Sequence, residues 1–356
     1  MEIKWKFAVS ESDYRDWSGF VCSNPNANFL NNEHRNLSYE NYGFKNRLII
    51  GRSGGNVVAG SFVVTIKRFF TSAIISSGGL LVSPLILDKI GFVPVFKSFL
   101  KFLYSADVPS WNFFMCVMPK DDVSSLERFK FKLGKPISIM ASYTSSNCIK
   151  LFFDKDDLGD QAFQDRLLQS FTKKGRRDVR SSIRRGLSFH IVEGDEQIEK
   201  AYTLIEENAT RVGYSVRSWR VFGEYILKGV ANGNAYVCIA KYEDEIVGAM
   251  LLEAGGKTIN YTMGAAKRLS PDLHTGYFLQ YNAMIFAQAA GFDFYDVSAG
   301  GPESVQKFKA NFNPNFNQKM LDMYISRGFL GSILTKFLLS KMISKSITTI
   351  SGFVKR

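Results

Sequence analysis

Along the chain, runs in which apolar residues alternate or cluster give way repeatedly to stretches in which they recur every three or four positions. That exchange of periods predicts an α/β protein. A first helix is expected from about Ser10, with Ser10 as N-cap and Glu11 and Asp13 in the first turn. Arg47 to Arg68, RLIIGRSGGNVVAGSFVVTIKR, sets Gly54, Gly55 and Asn56 between two β-branched runs and predicts a hairpin. Tyr236 to Glu253, YVCIAKYEDEIVGAMLLE, aligns without gaps on Arg47 to Val64, and Val247-Gly248-Ala249 falls on Val58-Ala59-Gly60. This spacing is far longer than a solenoid repeat, so the expectation is two domains of one fold, each with a central hairpin and packed helices. A chance likeness between two hairpins is the competing account. The uncharged run from Phe69 to Leu87 is long enough to cross a bilayer, but its Ser, Gly and Pro content reads as two short strands broken by turns.

Between the two halves, Gln161 to Gly186 predicts a helix or helix pair that stops at Gly186. Arg176, Arg177, Arg180, Arg184 and Arg185 fall largely on one side of it, as a solvated face or as a phosphate-binding surface. From Arg327 to Arg356 the chain carries no acid. Phe329, Ile333, Phe337 and Leu330, Leu334, Leu338 form a stripe opposite Lys336, Lys341 and Lys345. That is a basic amphipathic helix, docked on the protein's own body or lying in an anionic membrane interface. The expected divisions are 1–160, 161–326 and the helix 327–356. The sheets are expected to be mixed and mostly antiparallel, flanked by helices.

Composition narrows the picture modestly. The 356 residues suit two domains of roughly 150 to 180 residues each. With 46% hydrophobic residues and 31 Phe, both have material for a core. The 45 Lys and Arg against 33 Asp and Glu give +12, which favours an anionic partner: nucleic acid, a phosphorylated substrate or an acidic membrane. Cys22, Cys116, Cys148 and Cys238 form no CxxC pair and read as free thiols in a reducing compartment. No positively charged start precedes an apolar stretch at the N-terminus, so a cytoplasmic location is expected, at the inner face of the plasma membrane if the terminal helix binds lipid.

The chemistry is defined first by elimination. His34, His190 and His274 are isolated from the cysteines and from one another, so no metal site is expected. Neither a GxSxG elbow nor a Walker A loop occurs. The densest cluster lies between Asn260 and Phe316: a strand NYTMGAAKR with Tyr261, a helix YFLQYNAMIFAQAAG with Tyr277, a strand FDFYDVSAGG with Asp296, then ESVQKFKANFNP with Phe308 and Lys309.

In order and spacing these segments resemble the C-terminal domain of the Fem family, the methicillin-resistance factors. The Arg-Arg helix Lys173 to Gly186 is also similar, and PNANFLNN, Pro25 to Asn32, resembles the family's Pro-x-x-x-Phe-x-Gln-Ser stretch with Asn31 and Asn32 in place of Gln and Ser. The resemblance covers residues 5 to 325. It implies two tandem GNAT-like (acetyltransferase-like) domains, an aminoacyl-tRNA donor and a glycan-linked peptide amine as acceptor. On that analogy Phe308 and Lys309 sit where the charged donor meets the acceptor, and a fixed ammonium there holds a phosphate or stabilises an oxyanion. Arg176 and Arg177 would take the acceptor's diphosphate. Asp296 is expected either to accept a proton from the amine or to cap the Ser298 to Gly300 turn. Tyr261 and Tyr277 line an acceptor channel or pack in the core.

Two departures bear on the donor. The long helical arm of many tRNA-using bridge enzymes is missing. The glycine-rich pyrophosphate loop of acyl-CoA users is represented only by Arg268 to Gly276, RLSPDLHTG. Three readings follow. The first is an acyltransferase with no tightly bound cofactor, taking an aminoacyl group from tRNA or an acyl group from acyl-CoA to an amine of a glycan-linked or nucleotide-linked envelope precursor. The others are a nucleic-acid-binding module and a peripheral membrane adaptor resting on the terminal helix.

Overall fold

The computed structural model describes residues 2–68, 71–105, 112–119, 137–151, 160–298 and 300–327. The basic amphipathic segment expected from 327 onward lies, apart from Arg327, outside them. The chain forms two compact units, 1–145 with 318–356, and 146–317. The expected divisions lie at 160/161 and 326/327, whereas the units divide at 145/146 and 317/318. Strand pairing far along the chain explains the return to the first unit.

In chain order the elements are β1 (Lys4–Phe7), α1 (Glu11–Ser23), α2 (Glu33–Leu37), β2 (Lys45–Ser53), β3 (Asn56–Arg68), β4 (Thr71–Ser76), β5 (Leu81–Val82), α3 (Pro84–Ile90), α4 (Phe92–Ser105), β6 (Asn112–Pro119) and β7 (Ile137–Lys150). There follow α5 (Asp160–Ser170), α6 (Lys173–Arg184), β8 (Ser188–Val192), α7 (Asp195–Val212), α8 (Trp219–Ala231), β9 (Ala235–Tyr242), β10 (Glu245–Gly255), β11 (Thr258–Ala266), α9 (Thr275–Ala289), β12 (Phe294–Asp296), α10 (Glu303–Ala310) and β13 (Phe316–Arg327).

In the first unit the sheet runs β1-β2-β3-β4-β6-β13, with β5 on β3. All pairs are antiparallel except β4 with β6. β13 belongs here because Met320 to Ser326 pair with Pro119 to Phe113. Ser10 caps α1 as expected, its side chain accepting from the Asp13 N–H. Trp17 on α1 is fully buried with Leu48, Ile50 and Phe62, while Ile49, Val63 and Ile74 pack with Phe96 and Phe99 of α4. Alternation along β2 therefore feeds two cores, one on each face of the sheet.

In the second unit the order is β8-β9-β10-β11-β12, and the last residues of β7 pair with β12. Only β11 with β12 is parallel. Each unit thus repeats one plan, a central antiparallel hairpin, a further strand, a helical crossover and a parallel strand. The likeness between the hairpins extends to an irregularity. The β2/β3 register passes from Gly51↔Ala59 to Arg52↔Val57 and leaves Val58 over, and the β9/β10 register passes from Ile246↔Lys241 to Gly248↔Ala240 and leaves Val247 over. These two bulged valines are the residues that the gapless alignment superposes, and a bulge is a specific feature that chance hairpins do not share in register.

Candidate active site in the second unit

The site is built where β12 turns into α10. Asp296, the last residue of β12, accepts the Ser298 N–H on Oδ1 at 2.6 Å and the Asn260 amide N–H on Oδ2 at 2.8 Å. The first bond closes a turn that sets Ser298 at φ +60, a left-handed conformation uncommon for a residue other than glycine. Gly301, at φ +116, completes the passage into α10. One oxygen of Asp296 thus caps the turn and the other ties it to Asn260 on the neighbouring strand β11.

Lys309, on the last turn of α10, reaches back into this loop. Its Nζ donates to Ser298 O at 3.1 Å, Ser298 Oγ at 3.1 Å and Gly300 O at 2.9 Å. The residue is only 6% exposed. Burial pushes its ammonium down to about 8, against the opposing pull of the Asp296 carboxylate. The Tyr261 ring on β11 lies 5.7 Å from Nζ, a cation–π distance, and burial raises that phenol above its ordinary value.

β11 pairs with β12 only through Thr258, Ile259 and Asn260, whereas its pairing with β10 continues to Ala266. Among the described residues, no strand pairs with the β12-facing edge of Tyr261 to Ala266. α9 begins at Thr275 after the 267–274 loop, close to the expected start near Tyr277.

Phe308 precedes Lys309 but faces another way. Its ring lies 4.9 Å from that of Tyr277 and 5.2 Å from that of Phe312. The Tyr277 hydroxyl accepts from Lys174 Nζ at 3.2 Å and Asn311 Nδ2 at 3.1 Å, and Tyr277 is buried. The structure places Tyr277 in the core, as a tie between α6, α9 and α10. α6 is pinned to the end of α10 by Thr172 N on Asn311 O at 3.0 Å and by the close approach of Gly175 to the same carbonyl.

The predicted arginine cluster divides. Arg176 turns inward and donates from Nη1 to the Gln169 and Phe171 carbonyls at the end of α5, because those carbonyls need donors where that helix stops. This use of Arg176 departs from the expected phosphate contact. Arg185 is the C-cap of α6. Lys173, Arg177, Arg180 and Arg184 are exposed and spaced by four, three and four, so they form one stripe roughly 16 Å long at 1.5 Å per residue. Arg177 also donates to buried Asp178 at 2.8 Å, and Lys174 pairs with the same carboxylate at 2.7 Å. Burial would raise Asp178, but these bonds outweigh it and hold it below its ordinary value.

Lys309, Asp296 and Tyr261 thus come together at one turn, while Phe308 and Tyr277 share the aromatic cluster beside it. Ser298 and Asn260 were not singled out as site residues from sequence. The only local signal for Asn260 is a polar amide within the otherwise buried start of β11, and the link from Ser298 to Lys309 exists only in the fold.

Residues 170–309 match the family described as an acetyltransferase (GNAT) domain. Among solved structures the chain is similar to FemX, at 16% identity and a TM-score of 0.67, covering 90% of this chain and 97% of that one. It is also similar to the C-terminal domain of a putative lysylphosphatidylglycerol synthetase from Agrobacterium fabrum, at 12% identity and a TM-score of 0.56, covering 93% and 96%. A conserved protein of unknown function from Bacteroides thetaiotaomicron gives 12% identity and a TM-score of 0.56, covering 92% and 99%. No curated protein matches in sequence. The fold is that of two GNAT-like α/β domains and resembles the FemX fold. Among the described residues, no helix is long and apolar enough to cross a membrane.

Proposed function

We propose that the protein is an acyltransferase that moves an aminoacyl group from aminoacyl-tRNA to an amine of a cell-envelope glycan precursor. The observation that carries this reading is the coupling of a cationic ridge to a buried ammonium. The ridge on α6 starts at Lys173, next to the Thr172–Asn311 contact, and Asn311 follows Lys309 by two residues. Successive guanidinium groups along a helix face suit the regularly spaced phosphates of a nucleic acid strand. Lys309 and the Ser298 turn then supply positive charge and donors where the ester carbonyl gains negative charge. The amine attacks the ester carbonyl carbon directly, and catalysis comes from positioning and electrostatics. The fold and the Fem resemblance support the glycan-linked or nucleotide-linked acceptor, with Arg177 on the ridge as the remaining candidate for its phosphates. The terminal basic segment supports contact with an anionic membrane at the cytoplasmic face.

A second reading has its own observation. The open edge of β11 and the N-terminus of the fifteen-residue α9 after the 267–274 loop suit the amide arm and pyrophosphate of an acyl-CoA donor. The test is binding and transfer with a charged tRNA acceptor minihelix, its uncharged form and acetyl-CoA, across a salt series. Preference for the charged RNA supports the aminoacyl reading. Transfer from acetyl-CoA without RNA preference replaces it with the second, and salt-dependent RNA binding without transfer leaves a binding module.

A further inference from the structure

We infer that Ser298 is the catalytic residue that meets the reacting carbonyl and that Lys309 is a positioning residue acting through it. This rests on the acyl-transfer reading above. An ammonium has three N–H groups, and three oxygens accept from Lys309: Ser298 O, Ser298 Oγ and Gly300 O. Two of these are main-chain carbonyls fixed by the turn. With its protons so committed, and with only 6% of the residue exposed, Lys309 has no N–H to offer a substrate.

Ser298 is placed differently. It is half-buried and therefore reachable, and its Oγ accepts from a cation, which leaves its own O–H to donate elsewhere. Accepting a charge-assisted bond polarises that hydroxyl and strengthens it as a donor. The Asp296 carboxylate holds Ser298 in its left-handed conformation through the 2.6 Å bond to its N–H. A polar residue kept in such a conformation between a strand and a helix is the kind of local strain that accompanies function. The Tyr261 ring, on the strand with the unpaired edge, lies at cation–π distance from the same ammonium.

In the transfer itself, the amine nitrogen forms a bond to the donor carbonyl carbon while the carbonyl π pair moves onto oxygen. That oxygen accepts the Ser298 O–H hydrogen bond. The pair then returns, the bond from carbonyl carbon to the donor's leaving oxygen breaks, and the proton lost by the amine is delivered through solvent to that oxygen. Ser298 and Lys309 are unchanged at the end.

The test uses the full chain with Ser298→Gly, because glycine accepts φ +60 without strain while the hydroxymethyl group, and with it the donor, is removed. Loss of one such donor lowers kcat by about 10²–10³-fold, with KM little changed. Lys309→Met should lower kcat similarly, and the double variant should fall no further than the worse single. An active S298G with wild-type kcat, or a double variant whose loss is the product of both, overturns the assignment. Should Lys309→Met fail to fold, S298G alone decides. A wild type that transfers no group to an amine from either donor overturns the acyl-transfer reading, and this role with it. An active wild type with unimpaired S298G overturns the Ser298 role alone.

Discussion

Burying Lys309 has a consequence for stability that can be measured without knowing any substrate. The ammonium ordinarily titrates at 10.5, and in the folded protein it is pushed down to about 8. Between those values the folded chain has released a proton that the unfolded chain still holds. Unfolding therefore takes up a proton in this window, and stability from this group rises with pH, by up to roughly 1.4 kcal/mol per pH unit. Below pH 8 both states are charged and the dependence vanishes. Urea unfolding of wild type and Lys309→Met at pH 7.5, 8.5 and 9.5 isolates the effect, since every other titrating group largely cancels in the difference. The wild type should gain on the variant from 8.5 to 9.5. An NMR titration of the Lys309 side chain should find the midpoint near 8, and Asp296→Asn should move it lower by removing the one opposing charge. A difference in stability that stays flat or falls with pH, or a midpoint near 10.5, would falsify the account of a desolvated ammonium held by neutral carbonyls.

Other consequences are local. Gly175→Ala would set a Cβ 2.5 Å from the Asn311 carbonyl oxygen, a backbone atom with little freedom to yield, and should cost about 1–3 kcal/mol in urea unfolding despite alanine's better helix propensity. Arg180→Glu with Arg184→Glu should leave the fold intact, since both side chains are exposed, and lower the salt slope of RNA binding by about two phosphate contacts; an unchanged slope removes the ridge from the RNA interface. Asp178→Asn should destabilise the second unit above about pH 4 by breaking the bonds from Lys174 and Arg177. Because the wild-type carboxylate titrates low, its contribution is lost as pH falls through that lowered value. Acid unfolding of the variant should therefore show a shallower limb, and identical limbs count against the pairing.

Much of the framework was legible along the chain. The Ser10 cap, the hairpin around Gly54 and Gly55, its partner at 235–255 and the break of the 69–87 run into strands β4 and β5 all follow from interactions a few residues long. Turn chemistry and side-chain period are local properties, so sequence alone determines them. The Fem resemblance likewise rested on the order of short motifs and led to a GNAT-like fold in two copies.

What sequence could not determine is which way equivalent residues face and which distant groups satisfy them. Arg176 and Arg177 are adjacent on one helix, yet one supplies α5 carbonyls and the other stays on the exposed ridge, because only packing decides where unsatisfied carbonyls lie. Phe308 and Lys309 are neighbours too, and one joins Tyr277 in the aromatic cluster while the other enters the Ser298 turn. The allocation of β13 to the first unit depends on pairing with β6 some two hundred residues earlier. Hydrogen-bond donors and buried charges are settled by a global requirement that each buried polar group find a partner. That requirement is met across the fold rather than along the chain, and it is what made a lysine and a serine eleven positions apart into one site.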